Sequence, residues 1–326
     1  MENADSNFNR LLKQFVSYPE GSASDWKSHY NPLVDSVIVH LEKTNPIISV
    51  IVVAYRSSEF LLNCLEQVRN QEEIDNSDIE LILVDNTGIE SLRPFLNKFV
   101  DVEIRMKGNA HLCRARNLGA TYAQSQIINF IDDDGLIYPD YLKKGLTYFN
   151  DPNTVAIRTR IIANSHKYFT TLADHYDKGK FPAPDFLQTE GSSFIRKNTF
   201  IENGGFCENL YGGEGIDFTY RLNKRLKGAK ILFVPDVIMK HDYIHTWAKF
   251  FQKNWRYATI DNKRKNIDPG FSRFMDEYPP HDFIRDPLPL DEQIARVLLL
   301  LIRKIIWKIA QLTVTIRKNK EQKGLV

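Results

Sequence analysis

The spacing of hydrophobic residues changes abruptly at Ile47. From Ile47 to Val53 only Ser49 interrupts a β-branched apolar run, the pattern of a strand covered on both faces. Beyond it the period switches repeatedly. Phe60–Asn70, Glu90–Phe99 and Cys113–Ala123 read as helices, and Ile79–Val84, Val102–Arg105 and Ile127–Ile131 as strands. Strands alternating with helices predict βαβ units and an α/β chain built on a doubly wound, mostly parallel sheet. Further on, Ser192–Ile195 and Lys230–Val234 read as strands and Ile216–Leu226 as a helix. Residues 1–45, with turn signals at Tyr18-Pro19-Glu20-Gly21 and an apolar cluster at Leu33–Leu41, read as an extension with no chemistry assigned. The main domain is expected over 46–245 and a helical C-terminal region over 246–326.

Open sheets of this kind bind ligands outside the carboxyl ends of their strands. In this chain those ends are polar: Ala54-Tyr55-Arg56 follows the first strand, Asp85-Asn86-Thr87 the second, and Asp132-Asp133-Asp134-Gly135 the fourth. No GxGxxG or GxxxxGK[ST] follows any strand, so the nicotinamide and P-loop readings lose their main support. Adjacent carboxylates at ~4 Å repel by about 4 kcal/mol at an effective dielectric of 20, so a cation is expected beside them. In an extended segment Asp132 and Asp134 point the same way while Asp133 turns elsewhere. Two hard oxygen donors suit Mg²⁺ or Mn²⁺; a solvated acidic turn is the alternative.

Composition narrows the field further. Hydrophobic residues make up 43% and charged residues 26%, ordinary globular values, and the net charge of +2 provides no global field toward nucleic acid. Cys64, Cys113 and Cys207 are far apart and odd in number, against a disulfide framework or zinc ribbon and in favour of a reducing compartment. The polar first residues do not read as a signal peptide, and the apolar run Val297–Ile302 is interrupted by Arg303, Lys304 and Lys308 before the roughly 20 residues a bilayer span needs. A cytoplasmic location, at the inner face of a membrane, is therefore expected.

The order of these motifs resembles glycosyltransferase family 2 on the GT-A fold. The residues that carry the resemblance are Ile51-Val52-Val53-Ala54-Tyr55, Leu83-Val84-Asp85-Asn86, Asn109, Arg114 to Ala120, the aspartate run followed by Tyr138-Pro139-Asp140, Gly204-Gly205-Phe206, Gly213-Glu214, Asp217 with Arg221-Leu222, and Val234-Pro235 with His241. It spans about residues 47–245. The resemblance implies an inverting, metal-dependent enzyme that takes a sugar from a nucleotide-diphosphate sugar and passes it to a glycan or lipid-linked acceptor. Ala54, Tyr55, Asp85, Arg114, Arg116, Asn117, Asp132 and Asp133 would bind the donor, and Asp132, Asp134 and His241 the Mg²⁺ or Mn²⁺. The general base would be Glu214 or Asp217, because relatives commonly carry two adjacent acidic residues where this chain has Glu214-Gly215. Glu190 is a further acceptor contact. Gly215 also leaves open a noncatalytic nucleotide-sugar-binding scaffold. A sugar-phosphate nucleotidyltransferase is the remaining alternative.

Charge is segregated at the far end: residues 291–326 hold eight basic and three acidic side chains, net +5, leaving −3 for the rest. Ile294, Leu298, Leu301, Ile305, Ile309, Leu312 and Ile316 recur at helical spacing, widened by Val297, Ile302 and Ile306. Such a helix over 291–318 fits peripheral contact with anionic lipid; docking on protein or a dimer seam is the competing reading.

Overall fold

In a computed structural model, the structure describes residues 18–56, 59–210, 212–260, 269–278 and 286–322. Residues 1–17 of the expected extension and Pro279-Pro280 lie outside them. The chain divides into two compact units, 1–161 with 180–240, and 162–179 with 241–326.

The first unit is organised by one sheet. Four fully or largely buried strands, β2 (Ile48–Ala54), β3 (Ile79–Asp85), β4 (Val102–Met106) and β5 (Ile127–Asp132), form a parallel block in the order β4-β3-β2-β5. Their apolar side chains on both faces are why helices must cover each side. Helices α2 (Glu59–Arg69) and α4 (Leu112–Tyr122) lie between the strands in sequence. Around the block the pairing becomes antiparallel. β1 (Val34–Val39), from the expected extension, pairs antiparallel with β4, and α1 (Ala23–Tyr30) buries Trp26 and Tyr30 in the core. On the other side β9 (Ser192–Arg196) pairs antiparallel with β5 and with β7 (Thr154–Ile162). β10 (Lys230–Lys240) pairs antiparallel with the two-residue strands β6 (Leu136–Ile137) and β8 (Ala183–Pro184).

The expected helix over Glu90–Phe99 shrinks to one turn, α3 (Arg93–Leu96). Pro94 limits where that helix can start: in a helix begun at Glu90 the proline would lie in the interior, with no N–H to donate to the Glu90 carbonyl, whereas in the first turn of α3 that N–H is not needed. Three other helices follow in the first unit, α5 (Tyr141–Thr147), α7 (Lys197–Glu202) and α8 (Glu214–Arg225), while α6 (Lys167–Thr170) lies in the 162–179 excursion.

The second unit holds α6, α9 (Trp247–Ile260), α10 (Pro269–Glu277) and the 33-residue α11 (Leu290–Gln322). Its core joins Leu172, Ile244, Phe250, Leu299 and Ile306. The polar start of α11 is tied down by Lys167 to Asp291 at 2.7 Å and by Arg296 to Asp174. Among the described residues no helix is long and apolar enough to cross a membrane.

Candidate active site

The carboxyl ends of β2 and β3 are locked to each other by their loops. The Asn86 N–H donates to the Ala54 carbonyl and the Arg56 N–H to the Thr87 carbonyl, both at 2.8 Å. Arg56, Thr87 and His111 adopt φ of +66°, +79° and +68°, a region non-glycine residues enter at a cost of about 1–3 kcal/mol each. All three occur in loops that follow strands of the parallel block. Tyr55 stands 42% exposed at the end of β2.

Asp85 is buried at the end of β3, where its Oδ2 accepts from Arg93 at 2.7 and 3.2 Å and its Oδ1 from the Thr87 N–H at 3.0 Å. Burial raises its pKa and Arg93 offsets part of the rise. Arg93 was invisible to the sequence reading, since a basic residue eight positions beyond an aspartate has no distinctive pattern.

β5 stops at Asp132, and the Gly135 N–H closes a turn onto the Asp132 carbonyl at 2.8 Å. Asp133 and Asp134 therefore sit in a turn, and the alternation expected of an extended segment does not govern where the three carboxylates point. Asp132 forms an ion pair with Arg116 on α4. Asp133 receives a backbone hydrogen bond from Tyr55, yet its pKa is pushed up to about 7, by burial first and then by Asp134 and Asp132. A like-charge cluster of this kind favours proton retention or a bound cation.

Arg116 also faces Glu190 and Glu214. One buried guanidinium thus meets three carboxylates. The Glu190 Oε1 accepts the Gly215 N–H at 2.6 Å, and the Glu214 Oε1 accepts the Gly212 N–H at 2.8 Å and the Cys113 thiol at 3.5 Å. Burial, then the Glu214 charge, pushes Glu190 up to about 7, while Arg116 opposes both. Two glycines make this approach feasible. A Cβ on Gly191 would overlap the Asp132 carboxylate. A Cβ on Gly215 would overlap the Leu187 carbonyl oxygen and come within 2.8 Å of the Glu190 Oε1.

Ala54, Tyr55, Asp85, Arg116, Asp132, Asp133 and Asp134 therefore gather at the strand ends with Glu190 and Glu214. Other expected residues have different partners. Arg114 is buried in an ion pair with Glu208 at 2.9 Å, and Glu208 also accepts from Tyr30. The Asn117 side chain exchanges two 2.9 Å hydrogen bonds with the Phe206 backbone, anchoring the Gly204-Gly205 turn. Asp217 accepts from Arg221 at 2.9 Å and from Tyr18 at 3.2 Å, which makes it a helix and packing residue. His241 belongs to the second unit, where its Nδ1 meets the Tyr176 hydroxyl at 2.7 Å.

A parallel block ending in an aspartate run, extended by antiparallel strands, defines a GT-A fold. The family model described as Glycosyl transferase family 2 matches residues 49–208. The putative glycosyltransferase EpsH of Bacillus subtilis is 31% identical over 148 residues, 44% of this chain and 39% of EpsH. A pre-mycofactocin glycosyltransferase of Mycobacterium tuberculosis is 26% identical over 165 residues, 46% of this chain and 34% of that protein. The chain thus spans well under half the length of either relative. Among solved structures, the mannosyltransferase PcManGT from Pyrobaculum calidifontis aligns with a TM-score of 0.52 and 14% identity over 91% of this chain and 83% of that one.

Proposed function

We propose that this chain transfers a sugar, with inversion, from a nucleotide-diphosphate sugar to a hydroxyl of a glycan or lipid-linked acceptor, with Mg²⁺ or Mn²⁺. The observation that carries the reading is the run of three carboxylates that closes β5, with Asp132 paired to Arg116 and the Asp133 pKa raised by burial and by the charges of its two neighbours. Asp132 and Asp134 offer hard oxygen donors for the ion. Bound there, a divalent ion supplies Lewis-acid neutralisation of the departing diphosphate. Asp85, Ala54, Tyr55 and Asp133 line the side that would take the nucleoside. The PcManGT structure was solved with GDP-Man and Mn²⁺, which supports the donor class. His241 lies in the second unit, and the reading stands on the first unit alone.

An inverting transfer needs a carboxylate to remove the acceptor hydroxyl proton as that oxygen attacks the anomeric carbon. Glu190 is the better of the two buried candidates, because a base titrating near 7 matches the working pH. Glu214 stays beside it as the charge that lifts its affinity for a proton. The scaffold reading was motivated by Gly215, and Glu190 answers it by occupying the space against that glycine.

The test is incubation of purified chain with UDP-, GDP- and dTDP-sugars, Mn²⁺ and acceptor glycans, measuring nucleoside diphosphate release and sugar transfer. Absence of turnover with every donor and acceptor would overturn the reading. The pH profile tests the base. Because Glu190 holds its proton up to about pH 7, kcat/KM should climb as pH rises through 7 and level off above it. Glu190→Gln should lower the plateau by about 10²–10⁴-fold and remove that rise; a variant that keeps the wild-type profile assigns the base elsewhere.

The reading also includes peripheral contact with a membrane. The apolar row Ile294, Leu298, Leu301, Ile305, Ile309, Leu312 and Ile316 is 48–61% exposed, whereas Leu299, Ile306 and Ala310, one position and about 100° further round α11, are buried. The helix therefore docks by one edge of its apolar arc and leaves the other open, beside exposed Lys304 and Lys308. Arg296 is not available to lipid, being held by Asp174 and the Thr171 carbonyl. Cosedimentation with vesicles containing anionic lipid should fall at least tenfold in a chain carrying Leu301→Asp, Ile305→Asp and Ile309→Asp, since partitioning tracks buried apolar area. Unchanged cosedimentation would reject membrane contact through this face.

A further inference from the structure

A second set of metal-ligating side chains lies in the second unit, remote in sequence from the aspartate run. His166, Asp242 and His245 each present a ligand atom, and these atoms all lie within 4.8 Å of one another. The two imidazoles meet edge to face, with ring centroids 5.7 Å apart and planes at 89°. Asp242 is 3% exposed. Its Oδ1 accepts the backbone N–H groups of Asn164, Ser165 and His166 at 3.0, 3.0 and 2.8 Å, and its Oδ2 that of Ser165 at 3.0 Å. The Oδ2 also lies 3.9 Å from the His245 Nδ1.

These contacts do two things together. They bind the 164–166 loop to the segment that follows β10, and they set His166 beside His245 with a fixed carboxylate between the two. Hydrogen bonding of a ligating carboxylate is how metal sites orient their ligands. We propose that His166, Asp242 and His245 form a divalent-metal site for a borderline transition ion of the Zn²⁺ class, clamping the 162–179 excursion to the start of the 241–326 segment. Two imidazoles and one carboxylate match such an ion and not Mg²⁺ or Ca²⁺, which call for oxygen donors. Ligand atoms about 2.0–2.2 Å from a tetrahedral ion stand roughly 3.4 Å apart, a spacing reached from 4.8 Å by small rotations of the two histidine side chains. The site uses none of Asp132, Asp134 or His241, so it stands or falls independently of glycosyl transfer.

The test uses the full chain without a polyhistidine tag, stripped with EDTA and titrated with ZnCl₂ by calorimetry, with metal content measured after gel filtration. One retained equivalent of Zn²⁺ is expected in the wild type and in Asp134→Ala. In His166→Ala and in His245→Ala the affinity should fall at least tenfold, while melting in EDTA stays at the wild-type temperature. A measurement that needs no variant is the visible spectrum with Co²⁺, expected to show the intense bands of a low-coordinate nitrogen and oxygen site and to be bleached by Zn²⁺. Absence of a Zn²⁺ equivalent in the wild type, its retention in His166→Ala combined with His245→Ala, or its loss in Asp134→Ala would each overturn the proposal.

Discussion

Turnover of Asp134→Ala is expected to fall at least about a thousandfold and to lose its response to Mn²⁺. Neutralising the diphosphate leaving group is worth several kcal/mol, and ~4 kcal/mol corresponds to about three powers of ten in rate. The substitution removes one member of a like-charged trio, and melting in EDTA reports any loss of folding. Asp134 is the second largest cause, after burial, of the raised Asp133 pKa. Its loss should let Asp133 ionise at lower pH. Turnover and melting measured on the same preparation separate the two effects. Wild-type rates in the variant, still dependent on metal, would move the metal site away from this run.

Placing beside Glu214 the second acidic residue that the family resemblance implies is expected to damage the enzyme. Gly215 is the second residue of α8, and any Cβ there overlaps the Leu187 carbonyl oxygen. The obstacle is backbone, which has no rotamer to yield, so Gly215→Ala should cost about 3 kcal/mol, at the upper end for overpacking. For a domain of this size that is a drop of roughly 6–12 °C in melting temperature. Gly215→Asp should be worse, because it also places a third carboxylate against Glu190 and Glu214. Activity of both variants should fall by more than tenfold, as Arg116 and Glu190 lose their register. A Gly215→Asp chain with unchanged stability and faster turnover would show that Glu190 does not stand in for the missing acid.

Two of the raised carboxyls, Glu190 and Asp133, set part of how stability follows pH. In the native chain Glu190 keeps its proton to about 7, against 4.5 for an unperturbed glutamate. The native state therefore binds more protons than the unfolded chain between those values, and this group's contribution to stability declines as pH climbs from 4.5 to 7. Asp133 acts in the same direction from 3.8.

Much of this protein was legible as pattern. The buried run at Ile47–Val53, the alternation that follows it and the polar residues after each strand were enough to locate β2, β3 and β5 and the side of the sheet where chemistry gathers. Those features are local: a strand's period and its flanking residues are written within a few positions. The single-turn α3 starts later than its helical period suggests because Pro94 is tolerated only in a first turn.

What tertiary structure alone decided was which side chains meet. Arg114, Arg116 and Asn117 are equivalent as sequence, neighbours on one helix. Only the packing of α4 sends Arg116 to Asp132 and commits Arg114 to Glu208 and Asn117 to Phe206. Likewise, Glu190 reaches Gly215 across 25 residues, and the apolar arc of α11 divides into a docked edge and an open one. Such pairings arise from burial and long-range contact, whose energies depend on distances that no spacing along the chain encodes.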